Sequence, residues 1–241
     1  MSLYEGLLTT RAIRRYRDET IPDEALRDIL FAATRAPSGS NRQPFRFVVL
    51  RDGEVATQVK ALIATGALSM WGRKKAEDGY ERGSGTDATS PKARMARTME
   101  HYVNHFAEVP VLVLACSVPY RTRSAPGTAV GSRPGASAAD GASVFPACQN
   151  LLLAARALGY GGVLTSLHHF TGPELRQLLA LPDDVEIMAT ITLGRPQGRH
   201  GPVRRRPMAE LVFGDRWGEA PQWATDPEGT RFTSAGPPVP S

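Results

Sequence analysis

The run Val109-Pro110-Val111-Leu112-Val113-Leu114-Ala115-Cys116 constrains this chain most: it is continuous, apolar and rich in β-branched residues, the pattern of a buried strand. A chain of 241 residues can bury a large core around it. No internal Pro/Gly/Ser linker divides the sequence into two self-sufficient apolar halves, which favours one domain.

A second stretch gives that core a function to carry. Residues 32–37 read as the end of a helix stopped at Pro37, and Phe45-Arg46-Phe47-Val48-Val49-Leu50 reads as a strand. Between them lies a small polar loop. Ser38, Ser40, Asn41 and Gln43 supply donors and acceptors, and Gly39 permits close backbone approach to a ligand. The same composition also suits an ordinary helix-to-strand loop.

Upstream, residues 2–9 form a short helix pattern leading into Arg11-Ala12-Ile13-Arg14-Arg15-Tyr16-Arg17. Four arginines within seven residues repel one another unless an anion or carboxylates sit among them. Thr20-Ile21-Pro22-Asp23-Glu24 predicts a helix start with Thr20 as cap candidate, and Leu26, Ile29, Leu30 and Ala33 repeat at helical spacing. Val55 to Leu68 is helical by pattern, with Val59, Leu62 and Ile63 on one side. From Trp71 to Arg97 the chain becomes Gly-, Lys-, Arg- and Ser-rich, with Trp71 and Tyr80 scattered in it, and reads as a charged flap.

Met95 to Phe106 is again helical, with His101 and His105 four apart on one face; two ligands are an incomplete metal set, and no metal site is expected. Residues 119–140 form a long Gly/Pro/Ser-rich loop. Gly141 to Leu158 is the strongest helix pattern, its apolar face made of Val144, Phe145, Cys148, Leu151, Leu152, Ala155 and Leu158, and Gly159 stops it. Tyr160-Gly161-Gly162-Val163-Leu164-Thr165-Ser166 then sets glycines beside an apolar strand, where backbone N–H groups can face a ligand. A short helix over Pro173–Leu181 and a strand over Val185–Gly194 follow, and then a second arginine cluster, Arg204-Arg205-Arg206. These boundaries predict one domain over 1–214 with its flap at about 71–97. A C-terminal arm over 215–241 holds Trp217 and Trp223, laid over another surface such as a partner subunit's, and its last ten residues are expected to be disordered.

The formal charge of +5 and the excess of Arg over Lys suit bidentate recognition of phosphate or carboxylate. No Lys/Arg run with interleaved aromatics points to nucleic acid. Two cysteines are too few for a disulfide scaffold, the longest apolar stretch is too short for a bilayer, and the N-terminus has no uncharged apolar leader segment. A soluble, cytoplasmic protein is expected, without membrane or nucleic-acid partners.

Four separated signals resemble the nitroreductase family of FMN-dependent oxidoreductases. They are Arg11 to Tyr16, the Ala36-Pro37-Ser38-Gly39-Ser40-Asn41-Arg42-Gln43-Pro44-Phe45 loop, the helix Gln149-Asn150-Leu151-Leu152-Leu153-Ala154-Ala155 ending at Leu158-Gly159, and Leu193-Gly194-Arg195-Pro196 with the later arginines and Glu210-Leu211-Val212. The resemblance implies an α+β sandwich around a mostly antiparallel sheet, forming an intertwined homodimer with FMN at the interface. By that likeness Arg11 and Arg14, with the backbone near Ala12, hold the FMN phosphate, and Arg205 with Arg204 approaches the same group. Pro37, Ser38, Gly39 and Asn41 contact the flavin from the other subunit, with Gln43 nearby. Leu164, Thr165 and Ser166 run along the isoalloxazine, with a backbone N–H around Ser166 bonding N5.

The family commonly has Ser where this chain has Ala12, and which of Arg204, Arg205 and Arg206 faces the phosphate stays open. The implied activity is hydride transfer from NADPH or NADH through FMN to a nitroaromatic, quinone or similar flat acceptor by ping-pong, with no catalytic side chain required. The alternatives are a specialised flavin enzyme of the same fold (flavin fragmentation, dehalogenation or biosynthetic oxidation), a relative that has lost FMN, and a non-enzymatic basic protein that binds anions or nucleic acid.

Overall fold

The structure, a computed structural model, describes residues 1–77, 91–118, 138–198 and 200–232. These fall into two compact units, one over Arg11–Arg199 and one joining Ser2–Thr10 to the chain from His200 onward.

The first unit is built on a four-stranded antiparallel sheet in the order β1-β2-β4-β3, with β1 at Phe45–Leu50, β2 at Val111–Ser117, β3 at Gly161–Thr165 and β4 at Glu186–Gly194. Every residue of β2 is buried, as its unbroken apolar run requires, because helices cover both faces of the sheet. Val111, Val113 and Ala115 join Ala189, Ile191 and Leu193 under helices α2 (Asp23–Ala33) and α5 (Ala138–Ala157). Leu112, Leu114 and Cys116 point the other way, to α3 (Glu54–Glu77), α4 (Pro91–Asn104) and α6 (Glu174–Leu178). Register slips once, between Ala115 and Cys116.

Several local expectations need correction. Helix α2 starts after Pro22 without a side-chain cap, so Thr20 does not serve; Asp23 and Glu24 in the first turn complement the dipole instead. Trp71 is not the start of a flap: α3 continues through it to Glu77, and Val59, Ile63, Ala67 and Trp71 bury one stripe, leaving Trp71 only 4% exposed. The rest of the flap region is helical again from Pro91, and residues 78–90, including Tyr80, lie outside the described residues, as do 119–137 of the expected loop. On α5 the buried stripe is Val144, Ala147, Cys148, Leu151 and Ala155, whereas Phe145 is 45% exposed and Leu158, just past the helix end, is also exposed. Both cysteines are buried and free.

In the second unit α1 (Leu3–Thr9) is capped by the Ser2 side chain, which accepts from the Glu5 N–H at 3.1 Å. The chain after residue 200 returns to this helix, where the Val203 N–H donates to the Leu8 carbonyl at 3.1 Å. Arg205 bridges to Phe232, and the Met208 N–H donates to the Asp226 carboxylate at 2.9 Å. Trp217 packs edge-on against Phe213 yet is 75% exposed, and Trp223 is 68% exposed. No helix among the described residues is long and apolar enough to cross a membrane.

Candidate functional site

The arginine-rich segment is laid along the edge of the sheet beside β3. The Ile13 N–H donates to the Gly162 carbonyl at 2.9 Å, the Arg17 N–H to Arg195 at 2.9 Å and the Gln197 N–H to Arg15 at 3.0 Å, with Tyr16 and Pro196 paired antiparallel. One glycine makes this approach possible, and a second lets β3 lie close against β4. A Cβ on Gly161 would stand 2.7 Å from Ile13 Cγ1, and one on Gly162 would stand 2.4 Å from the Thr192 carbonyl oxygen. Because Gly162 turns its carbonyl away from β4, the alternation of an antiparallel edge strand turns the backbone groups of Leu164 outward as well, and Ser166 follows just past the strand's end. Leu164 is exposed, Thr165 half-buried and Ser166 exposed.

Ile13 is buried, so its neighbours are held against the core while Arg11 and Ala12 remain exposed. Arg14 is half-buried, and its Nε is shut off from solvent without a hydrogen-bond partner among the described residues. Burial pushes the Arg14 guanidinium below its ordinary pKa and Arg11 adds repulsion, while Tyr102 and Tyr16 oppose both. A cation stripped of water attracts an anion more strongly than a solvated one does. The guanidinium opens on a cleft of about 310 Å³ whose lining includes Tyr16, Asp18, His101, Tyr102, His105 and Glu108. His101 and His105 stack with ring centroids 4.1 Å apart, and burial, Arg15 and His105 all hold His101 below the usual imidazole pKa.

Behind this edge runs a buried polar layer that sequence reasoning missed. Thr190 and Thr192 on β4 are fully buried. The Thr192 hydroxyl lies 2.7 Å from the Tyr16 phenol and 3.0 Å from that of Tyr102, and the Thr190 hydroxyl lies 2.9 Å from His168 Nδ1. Tyr16 and Tyr102 are 176 and 90 residues from Thr192 in sequence, so no local spacing could have announced the network.

The Pro37 loop stands on separate supports, between the end of α2 and the start of α5. Ser38 Oγ accepts from the Gln43 N–H at 3.0 Å, Gln43 Nε2 donates to Asn41 Oδ1 at 2.9 Å, and the Gly39 N–H reaches Ser143 Oγ at 3.3 Å. Ser40, Asn41 and Gln43 have φ of 51°, 53° and 50°. Left-handed backbone costs a non-glycine residue about 1–2 kcal/mol, and a cluster of such residues is characteristic of loops shaped for a ligand. The loop's side chains are largely exposed.

In the second unit Arg204 and Arg205 are exposed, while Arg206 pairs with the Glu210 carboxylate at 2.6 Å. Arg206 is thereby occupied in holding its own segment. The structure places Arg11, Ala12, Arg14, Leu164, Thr165 and Ser166 along one edge of the sheet, and Pro37, Ser38, Gly39, Asn41 and Gln43 in the strained loop.

The sequence model of the nitroreductase family matches residues 7–195. An NADH dehydrogenase of Thermus thermophilus is 28% identical over 213 residues, spanning 86% of this chain and 92% of that protein. Iodotyrosine deiodinase 1 of Rattus norvegicus is 27% identical over 194 residues, 80% of this chain and 61% of that protein. The crystal structure of a nitroreductase with bound FMN from Desulfitobacterium hafniense superposes with a TM-score of 0.54 at 20% identity, covering 81% of this chain and 89% of that one, and shares the fold. The chain belongs to the nitroreductase family, a family of oxidoreductases, and has its α+β fold.

Proposed function

We propose that the protein is an FMN-dependent oxidoreductase that accepts hydride from NADH or NADPH and passes it to a nitroaromatic, quinone or similar flat acceptor in two alternating half-reactions. One observation carries this reading: the Ile13–Gly162 hydrogen bond sets an arginine pair against a glycine-lined strand edge whose next backbone groups face outward. FMN, when bound, supplies hydride acceptance and donation at its N5.

The residues present fit that group. Arg14, desolvated and in no ion pair among the described residues, and Arg11, exposed beside it, suit a phosphate dianion. The outward backbone groups of β3 suit the edge of a flat heterocycle, and a backbone donor near Ser166 would hold its N5. The missing hydroxyl at Ala12 leaves the backbone N–H there as the remaining phosphate donor of that position. Arg204 and Arg205 are assigned to the phosphate by family resemblance alone. The strained loop from Pro37 to Gln43 serves a flavin held by a second copy of the chain, and Phe31 on α2 and Phe145 on α5, both exposed, are apolar surface that such a copy covers.

A second reading, a specialised flavin enzyme such as a reductive dehalogenase, is favoured by the deiodinase relative. Both readings predict a yellow protein. The visible spectrum of the purified protein, followed anaerobically on addition of NADH or NADPH, tests them together: flavin bands that bleach with a nucleotide and return with an acceptor support the assignment. Nitroaromatics, quinones and halogenated phenols as acceptors then separate the two. A colourless protein that takes up no added FMN overturns both and leaves the arginines to another anion.

A further inference from the structure

Hydroxyl groups behind the sheet edge form a chain whose proton order can be worked out by counting. The Tyr16 hydroxyl lies 2.6 Å from the Ile13 carbonyl and 2.7 Å from the Thr192 hydroxyl. The Thr192 carbonyl lies 3.1 Å from it as well; the hydroxyl has one proton and a carbonyl can only accept, so that proton goes to a carbonyl, the nearer being that of Ile13. Thr192 must then donate to Tyr16, and Tyr102, 3.0 Å away, must donate to Thr192. The order is Tyr102 to Thr192 to Tyr16 to the Ile13 carbonyl, while the N–H of the same Ile13 donates to Gly162. One end of the chain therefore holds the residue between the two arginines, and the other is anchored on α4 by Tyr102.

We propose that Tyr102, Thr192 and Tyr16 are positioning residues for the flavin cofactor, fixing the arginine segment in register with the β3 edge through this one-directional chain of hydroxyls. The inference rests on the FMN reading above. None of the three needs to touch the cofactor; Tyr16 grips the Ile13 peptide, and Thr192 and Tyr102 orient the Tyr16 proton. Tyr102 and Thr192 are buried and Tyr16 is half-buried, and away from water a hydrogen bond is strengthened by low local polarity and its neighbours reinforce it. Burial pushes both phenols above their ordinary pKa, so both keep their protons at neutral pH.

The test is titration of the full chain with FMN, read by flavin fluorescence, for Tyr16→Phe, Thr192→Val, Tyr102→Phe and the double variant Tyr16→Phe/Tyr102→Phe, with far-UV circular dichroism on each. The expected result is FMN affinity weakened about tenfold by Tyr16→Phe and Thr192→Val, each of which removes a hydroxyl linked to two neighbours in the chain, and about threefold by Tyr102→Phe, which removes one such link. The double variant should match Tyr16→Phe, since Tyr102 has nothing to transmit once the Tyr16 hydroxyl is gone. Thr192→Ser, which keeps the hydroxyl, should restore binding. A network that only supports the fold would lower the melting temperature of the variants and leave their FMN affinity within about twofold of wild type, which overturns the inference. If Thr192→Val does not fold, the two phenylalanine variants and their double still decide. Wild-type protein that binds no FMN overturns the flavin reading and this inference with it; wild type that binds, with unaffected variants, overturns the inference alone.

Discussion

Ile13 stands where a side chain on Gly161 would have to go: its Cγ1 is 2.7 Å from the position of a Cβ there, and its N–H donates to the next residue, Gly162. The two glycines therefore answer to different neighbours. A methyl at Gly161 meets Ile13 and Pro196, both attached to the arginine edge, whereas a methyl at Gly162 meets the Thr192 backbone inside the sheet.

Gly161→Ala should displace the arginine segment, weakening FMN binding about tenfold at a stability loss of about 1 kcal/mol, while Gly162→Ala should cost about 2–3 kcal/mol through the sheet itself. Urea unfolding of both variants, paired with FMN titration, checks the split. Equal effects of the two substitutions on both quantities would refute it.

Arg14 is held at the expense of its hydration, so stability and binding should move in opposite directions there. Arg14→Met keeps much of the apolar stem and removes the charge. The apoprotein is expected to melt at or above the wild-type temperature, with FMN binding weakened about 10–100-fold by loss of a charge-assisted contact. A variant that melts lower and binds FMN normally would show Arg14 to be a structural residue.

His168 gives the fold an acid limit. Burial is the main cause, and neighbouring His169 a lesser one, that lowers its pKa from 6.5 to about 4. The folded state thus favours the neutral ring, so its contribution is complete above pH 6.5 and is lost as the pH falls from 6.5 through 4, by about 1–3 kcal/mol in all. His168→Gln should flatten this part of the dependence. Urea midpoints of wild type and variant at pH 7 and pH 4.5 measure it, and parallel declines would exclude His168 as the cause.

Both thiols should be silent in the folded protein. Burial pushes Cys116 up to about 11 and Cys148 up to about 12, so little thiolate exists near neutrality. A disulfide reagent at pH 8 should modify neither cysteine until urea is added, and then both. Reaction of either thiol in native protein would mean that β2 or α5 opens locally.

The local part of this architecture was legible in the sequence because it is written as periodicity. The unbroken run at Val111–Cys116 became the fully buried β2, and Leu26, Ile29 and Ala33 became the buried stripe of α2. Gly159 ends up just beyond α5 with φ of 82°, as a helix stop should. The arginine cluster at 11–17 and the polar loop after Pro37 stood out because each is locally unfavourable without a partner. Periodicity did not say how far α3 runs, since Gly66, Gly72 and a lysine-rich end mask its stripe, and so Trp71 read as flap and not core.

What only the tertiary structure decided is the set of relationships fixed by pairing distant segments. Ile13 meets Gly162, Tyr16 meets Thr192, and Tyr102 meets Thr192, none of them a consequence of spacing along the chain. A hydroxyl on a strand has a partner only once strand order and register are set, and here the order β1-β2-β4-β3 places Thr192 beneath both tyrosines. Sequence alone determined most of the segments that are buried and where positive charge collects. The fold decided which of those charges is stripped of water and what holds it there, because desolvation and hydrogen-bond order belong to the packed interior and not to the chain.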